Sequence, residues 1–445
     1  MKIPFFDCNI SALARYSGAF CLVLSAIIVP VYQASAQKAS TSSPYSRFGL
    51  GELRGSQLPQ TRAMGGIASG VRHIGMYSNI NAENPASYSA IQFTTIDVGV
   101  LGNLSELSNA SRSENAYNFA LSHIQFAFPL GKAGGLSVGL RPFSDVGYNY
   151  AVADRIDTVS LNKVYAGEGG TNAAYLGYGV RLNEHFSVGV NANYIFGALT
   201  QVRAVEYPNQ IGALNGREDR ENYINGFSFG YGAQYFKALN DRVALVIGYN
   251  GSIGSDLNSR TDLLSVRTPS SVSDGTENLP IDTIAFFEGQ DEVIAMPMRH
   301  RAGFTLNHTN RWMIGADFSY DQWSDFRHGN VDQGLQDSYG VAVGGQITPD
   351  PTSVRYLGVV DYRLGFRYNK TYIQLNNEDI NEMAITVGLG LPLPSMFGFS
   401  FNKVNFSAEL GQRGTTSNQL VRDRFVNFSL GFTLNDTWFR RAQYD

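Results

Sequence analysis

The chain has 445 residues, 34 Lys and Arg against 38 Asp and Glu, and a formal net charge of −4. That balance excludes an extended nucleic-acid surface, which needs clustered basic residues. Charged residues are only 16% of the chain, beside 47 Gly, 24 Tyr and 28 Phe, a mixture suited to strands with one apolar face, one small or polar face, and aromatic belts at their ends.

Residues 1–36 carry Lys2 and Arg15, an apolar run from Gly18 to Val31, and Ala34-Ser35-Ala36. This reads as a secretory signal peptide cleaved before Gln37. Both cysteines, Cys8 and Cys21, fall inside it, so the remaining chain offers neither a disulfide nor a thiolate metal site. Phe20 is bulky where a lipidation signal before Cys21 needs a small residue. Beyond residue 37 no apolar run reaches the roughly 18 residues of a membrane helix.

Residues 37–90 are rich in Gly, Ser, Asn and Pro and show neither a period of 2 nor of 3.6. A free loop of this length is uncommon in a compact domain, so something must hold it. From residue 91 the pattern changes to period 2. Ile96, Val98 and Val100 alternate with Thr95, Asp97 and Gly99, as in a strand with one apolar face. The next strand, Tyr117–Phe128, slips phase near Ser122-His123, which predicts a bulge. The third, from Leu136, meets Pro142, and a proline removes a ladder donor. Gly139 and Pro142 therefore mark either a lateral gap or a strand end near the outer rim.

Further strands read at about 171–182, 185–203, 222–238, 242–257, 296–308, 311–325, 338–349, 359–376, 379–392, 401–415 and 420–434, giving about fourteen in all. Links on one side are tight, as at 183–185, and those on the other are mostly long and polar: 151–170, 204–221 and 258–295. The fold class expected is all-β: a closed antiparallel transmembrane β-barrel with an N-terminal plug, or hatch. A soluble two-sheet fold is disfavoured, because strands of this length with small inward residues suit an enclosed lumen. The domains are then signal peptide 1–36, hatch 37–90, barrel 91–434 and a periplasmic tail 435–445.

The alternation places Asp97, Arg141, Arg299, Arg301, Asp317, Asp361, Arg363, Arg367, Glu382 and Glu409 inward. Arg47, Glu52, Arg54, Arg62, Arg72 and Glu83 belong to the hatch. Such charges either pair and hold the plug or leave an arginine free for an acidic ligand. In the longest outer link, Phe286 and Phe287, then Ile294, Met296 and Met298, form two apolar clusters suited either to contact with a ligand or partner or to folding onto the barrel rim. The six histidines are scattered, and no metal-ligand spacing, nucleophile elbow or phosphate loop is present. The expectation is therefore no cofactor, no metal and no enzyme.

Arg62–Gly66 (RAMGG, with Gly65 and Gly66) and Asn81–Ala86 (NAENPA, with Asn84, Pro85 and Ala86) resemble the hatch of FadL-type outer-membrane transporters. Ser43–Gly49 and Leu434–Phe439 are similar to a Bacteroidota branch related to PorV-type barrels. The FadL resemblance implies a fourteen-stranded barrel for hydrophobic compounds, in which ligand enters above the hatch and leaves sideways at an inward kink of the third strand. The branch resemblance implies instead a partner or scaffold in an outer-membrane secretion or assembly complex. Passive transport of a small hydrophobic ligand is the first expectation and the protein complex the alternative, with an outer-membrane enzyme behind both. Either of the first two puts the chain in the Gram-negative outer membrane, in contact with its lipid.

Overall fold

The computed structural model describes residues 41–75, 78–109, 112–210, 212–269, 280–329, 331–393 and 401–436. The signal-peptide reading and Trp438-Phe439 lie outside them. The barrel strands are β1 (Thr94–Ser108), β2 (Ser113–Pro129), β3 (Gly135–Ile156), β4 (Val159–Arg181), β5 (Phe186–Glu206), β6 (Asn215–Ala238), β7 (Val243–Ser252 continuing as Ser255–Thr268), β8 (Asp282–Met296 continuing as Arg299–His308), β9 (Trp312–Asp321), β10 (Ser338–Ile347), β11 (Asp361–Leu375), β12 (Glu378–Leu393), β13 (Phe401–Arg413) and β14 (Arg422–Asp436). All neighbours are antiparallel, and β14 pairs with β1 from Arg422↔Ser108 to Asp436↔Thr94, closing a ring of 14 strands.

Burial is inverted relative to a soluble protein. On β14, Phe428, Leu430 and Phe432 are exposed while Ser429, Thr433 and Asn435 are buried. The same alternation runs round the ring, with Leu176, Val190, Ile247, Phe304, Ile314, Val343, Leu364 and Ile385 outward. A closed ring leaves no backbone group unpaired in hydrocarbon, and the apolar outer face replaces water by lipid. The chain is an integral outer-membrane β-barrel.

Several strands outrun the membrane. Crossing needs about 9–11 tilted residues, yet β3, β4 and β6 have 22, 23 and 24. The links expected at 151–170, 204–221 and 258–295 are therefore largely strand: β3–β4 pair out to Ile156↔Val159, β5–β6 to Val205↔Gly216, and β7–β8 to Arg267↔Asp282. Their polarity hid them, because beyond the bilayer the outward face becomes hydrophilic and the contrast between faces fades. The slip near Ser122 is a register shift, with Gly99 facing His123 and Val100 facing Leu121.

The lumen holds residues 41–75 and 78–91. Short turns make up this hatch: Pro44–Arg47, strand Glu52–Leu53, helix Pro59–Arg62 and Pro85–Ala90. The wall presents small residues to it. A Cβ on Gly344 would collide with the Met64 carbonyl, one on Gly248 with Ser69, and one on Gly189 with Pro85. Gly65, at φ +71, lies so near β10 and β11 that a Cβ would be 2.8 Å from the Val343 carbonyl and 2.7 Å from that of Phe366.

This packing predicts a contrast between two glycines. Gly344→Val should cost about 1–3 kcal/mol by overpacking the hatch. Gly102→Val, where the nearest atom is 3.8 Å away on Phe119, should stay within about 0.5 kcal/mol. Thermal unfolding of both variants in detergent, with limited proteolysis of the hatch, checks the difference.

Candidate functional site

Hatch and wall meet in three layers. Towards the turn end of the barrel the wall holds the hatch by hydrogen bonds to its backbone, mostly from neutral side chains and in one case from Asp317. Asn84 caps the Pro85–Ala90 turn, its Oδ1 accepting from the Ala86 N–H at 3.2 Å, and its Nδ2 donates to the Ser69 carbonyl at 2.8 Å. Pro85 supplies the fixed φ that starts the turn. Gln234 donates to the Ser69 and Val71 carbonyls, Asn191 to Ala82, Asn250 to Glu83 and Thr305 to Gly70. Asp317 Oδ2 accepts from the Ala68 and Ser69 N–H groups at 2.7 and 2.9 Å. Thr386 accepts from the Gly65 N–H and donates to the Ala63 carbonyl. An irregular segment can be buried here because the wall pairs its polar groups.

The middle layer is charged. Arg413 bridges Glu382 at 2.6 Å and hatch Glu52 at 3.0 Å. Arg367 joins Glu382 at 2.6 Å and also pairs with Glu409. Hatch Arg54 meets Asp145 at 2.6 Å, Arg301 meets hatch Glu83 at 3.5 Å, and Arg299 meets Asp321 at 3.3 Å. A second charged group lies at the turn end itself: Arg363 and Lys403 share Asp361 at 2.9 and 2.6 Å, and Asp97 takes His123 at 2.7 Å and Thr433 at 2.5 Å. Arg62 makes no ion pair among the described residues and donates to the Gln57 and Gly55 carbonyls, and burial brings its guanidinium down to about 10. For Glu52 burial acts upward, but Arg413 and Arg54 outweigh it and hold the carboxyl well below its usual range.

The outer layer is apolar and solid. Hatch Leu50, with Phe48 and Leu53 against it, packs with Val146, Tyr148, Ile195, Leu199, Ile224, Leu257, Ile294 and an outer link carrying Trp323, Phe326 and Leu335. Trp323 stacks on Tyr372 at 4.2 Å, and Tyr372 donates to the Gly51 carbonyl. Between the outer and turn-end layers lie two cavities of ≈ 80 and ≈ 240 Å³, the first with four arginines and two carboxylates in its lining and the second with six and four.

Wall pairing is weakest beside β3. The β2–β3 ladder runs only from Pro129↔Gly135 to Ile124↔Leu140. Past Pro142 the strand shifts register against β4 and pairs with the hatch instead, Ser144 with Leu53 and Asp145 with Glu52. Gly139 lies inside the paired part, where a Cβ would be 2.7 Å from the Ile124 carbonyl. Of the apolar residues expected in an outer loop, all sit on or beside β8. Ile294 is fully buried in the outer core and Met296 packs against it, whereas Phe286, Phe287 and Met298 are exposed. Ile294 is a correction: the strand keeps its period of 2 beyond the membrane and turns this side chain inward.

Residues the sequence reading passed over include Arg413, Lys403, Asp145 and Asp321. Arg413 and Lys403 lie in phase with Glu409 on β13, so continuing the alternation would have found both.

A model of the BamG family matches residues 20–445. The chain belongs to the BamG family. Comparison with the curated proteins gives no match. Among solved structures, this BamG-family barrel is similar to a Pseudomonas aeruginosa FadL homologue (11% identity, TM-score 0.56, 87% of this chain and 99% of that one). It is also similar to the Pseudomonas putida toluene transporter TodX (15%, 0.55, 87% and 100%) and to the CymD monoaromatic hydrocarbon channel (13%, 0.52, 88% and 100%). The BamG-family chain thus has the fold of FadL-type outer-membrane transporters.

The charged layer generates a pH prediction. Because the Glu52 carboxyl titrates below its ordinary 4.5, its stabilisation is present above that value and is lost as pH falls towards the folded value. Glu52→Gln should cost about 3 kcal/mol at neutral pH by leaving Arg413 and Arg54 short of a partner. The gap to the parent should close as the pH drops below 4.5, read by thermal unfolding of both proteins across pH.

Proposed function

We propose that this barrel is a non-conducting partner or scaffold in an outer-membrane protein secretion or assembly complex, with its lumen serving as a structural interior. The observation that carries this reading is the filling of the lumen: ion pairs and hydrogen-bonded anchors towards the turn end, a further layer of ion pairs and an apolar core occupy it along its axis. A hydrophobic compound moving through would have to displace the core and then cross buried charges, which favours neither step. The cavities above the hatch are small and carry arginines and carboxylates, whereas an apolar-lined hollow of ≈ 720 Å³ beside Leu104, Met383, Ile385 and Leu410 lies on the lipid face.

The surface for a partner lies on the outer hairpin of β7 and β8. Beyond Ile294↔His328, β8 has no second strand neighbour among the described residues back to Asp282. Ile284, Phe286 and Phe287 are exposed there, at 57%, 60% and 49%. An open edge carrying aromatic residues is a template for pairing with another chain. Native mass spectrometry after gentle solubilisation should give a defined stoichiometric complex, and Phe286→Ser with Phe287→Ser should release the barrel intact. A parent barrel that is monomeric at every stage overturns this reading.

A second reading, passive transport of a small hydrophobic compound, is supported by the early end of the β2–β3 ladder at Pro142 and by the fold shared with TodX and CymD. It requires hatch movement and a lateral exit beside β3. Proteoliposomes loaded by uptake of a monoaromatic probe decide between the two. Saturable uptake lost in Pro142→Val, which regains a ladder donor, supports transport; uptake no faster than in empty vesicles supports the scaffold.

A further inference from the structure

The ≈ 80 Å³ cavity above the hatch is lined by four arginines: Arg54 from the hatch, Arg141 from β3, and Arg299 and Arg301 from β8. Three have carboxylate neighbours, in Asp145, Asp321 and Glu83. Arg141 has no ion pair or hydrogen bond among the described residues, and its Nε is buried. Arg299 Nε and Arg301 Nη1 are buried too, and at 3.3 and 3.5 Å from their carboxylates they make no hydrogen bond. Around this one space there are therefore four guanidinium groups, of which one has no ion pair among the described residues and two are held only by long ones.

Buried charged donors without partners are costly, more so than neutral ones. Guanidinium forks match the oxygens of an oxyanion, and convergence from two strands and the hatch sets them around a centre. Asn250 also lines the cavity, and while its Nδ2 donates to the Glu83 carbonyl its Oδ1 is buried and unpaired. An unpaired acceptor among donors suits an anion that still carries a proton. The Glu83 carboxylate faces the same space but is engaged by the Ser56 N–H and Arg301. Volume decides against a tailed ligand: ≈ 80 Å³ accommodates a compact oxyanion and leaves no apolar channel for a chain.

We propose that this cavity binds a compact oxyanion of the phosphate class through Arg141, Arg299 and Arg301, with Asn250 Oδ1 accepting a hydrogen bond from its O–H. The anion supplies Arg141 with a counter-charge between β3, β8 and the hatch, and so locks the hatch to the wall. This holds independently of whether the barrel has a protein partner.

The test uses the purified barrel in detergent, prepared without phosphate, and follows thermal unfolding. Inorganic phosphate at millimolar concentration should raise the midpoint by several degrees and saturate, as expected for a ligand that binds only the folded state. Sodium chloride at equal ionic strength should not. Arg141→Gln should lose the phosphate-dependent rise and Arg141→Lys should keep part of it. A rise reproduced by chloride, or equal in Arg141→Gln, overturns the proposal, as does a rise given by decanoate and not by phosphate. If Arg141→Gln does not fold, equilibrium dialysis of the parent against radiolabelled phosphate decides: a single tightly held phosphate supports the site, and none overturns it.

Discussion

A strand in lipid has no water to satisfy its backbone, so the sheet must close on itself. Closure in turn dictates how the interior is built. An eight-stranded ring is filled by its own side chains, whereas a larger ring encloses space. Fourteen strands therefore leave a lumen that the wall cannot fill, and a plug has to come from elsewhere in the chain. The hatch answers that need with backbone as well as side chains. Gly248 and Gly344 are bare on the inner face because hatch main chain presses against them, and wall amides at Asn191, Gln234 and Asn250 replace the water its carbonyls would otherwise have.

The same enclosure explains the charged layer. Charges held in a lumen away from bulk water are tolerated only when paired, and Glu52, Glu382, Glu409, Arg367 and Arg413 form a network in which most members have more than one partner. Breaking one contact leaves an uncompensated charge, so the network resists partial opening. A gate built this way would have to exchange several ion pairs at once. A seal has no such requirement, and the apolar core above it, anchored by Trp323 and Leu50, adds a second barrier of different chemistry. The fold shared with FadL-type barrels is thus compatible with a lumen built as an interior.

Legibility in the sequence depends on how strongly each feature is patterned. β14 was legible because its outer face is Val426, Phe428, Leu430, Phe432 and Leu434 without a break. The inward charges Asp317, Arg363 and Glu409 were legible by phase alone. The outer halves of β3–β8 were not, because outside lipid both faces of a hairpin can be polar. Nor could phase say which cations pair. Asp145 reaches Arg54 only because β3 turns to the hatch strand, and Asp321 meets Arg299 across the β8–β9 register. Such partners depend on three-dimensional closure and leave no mark in local spacing.

Arg141 sits where closure, plug and charge meet. It immediately precedes Pro142, at the point where β3 stops pairing with β2 and begins to lean on the hatch. The unmatched cation is thus carried by the one strand whose wall contacts are incomplete. With an anion in place, β3 is tied through Arg141 to β8 and to the hatch, so the short ladder is supported from within and a lateral gap stays shut. Without one, Arg141 has no ion pair among the described residues and faces Arg299 across the cavity at the weakest seam in the ring. Whether this seam opens is then a matter of what occupies the cavity behind it rather than of the proline alone, because Pro142 removes a hydrogen bond but supplies no force.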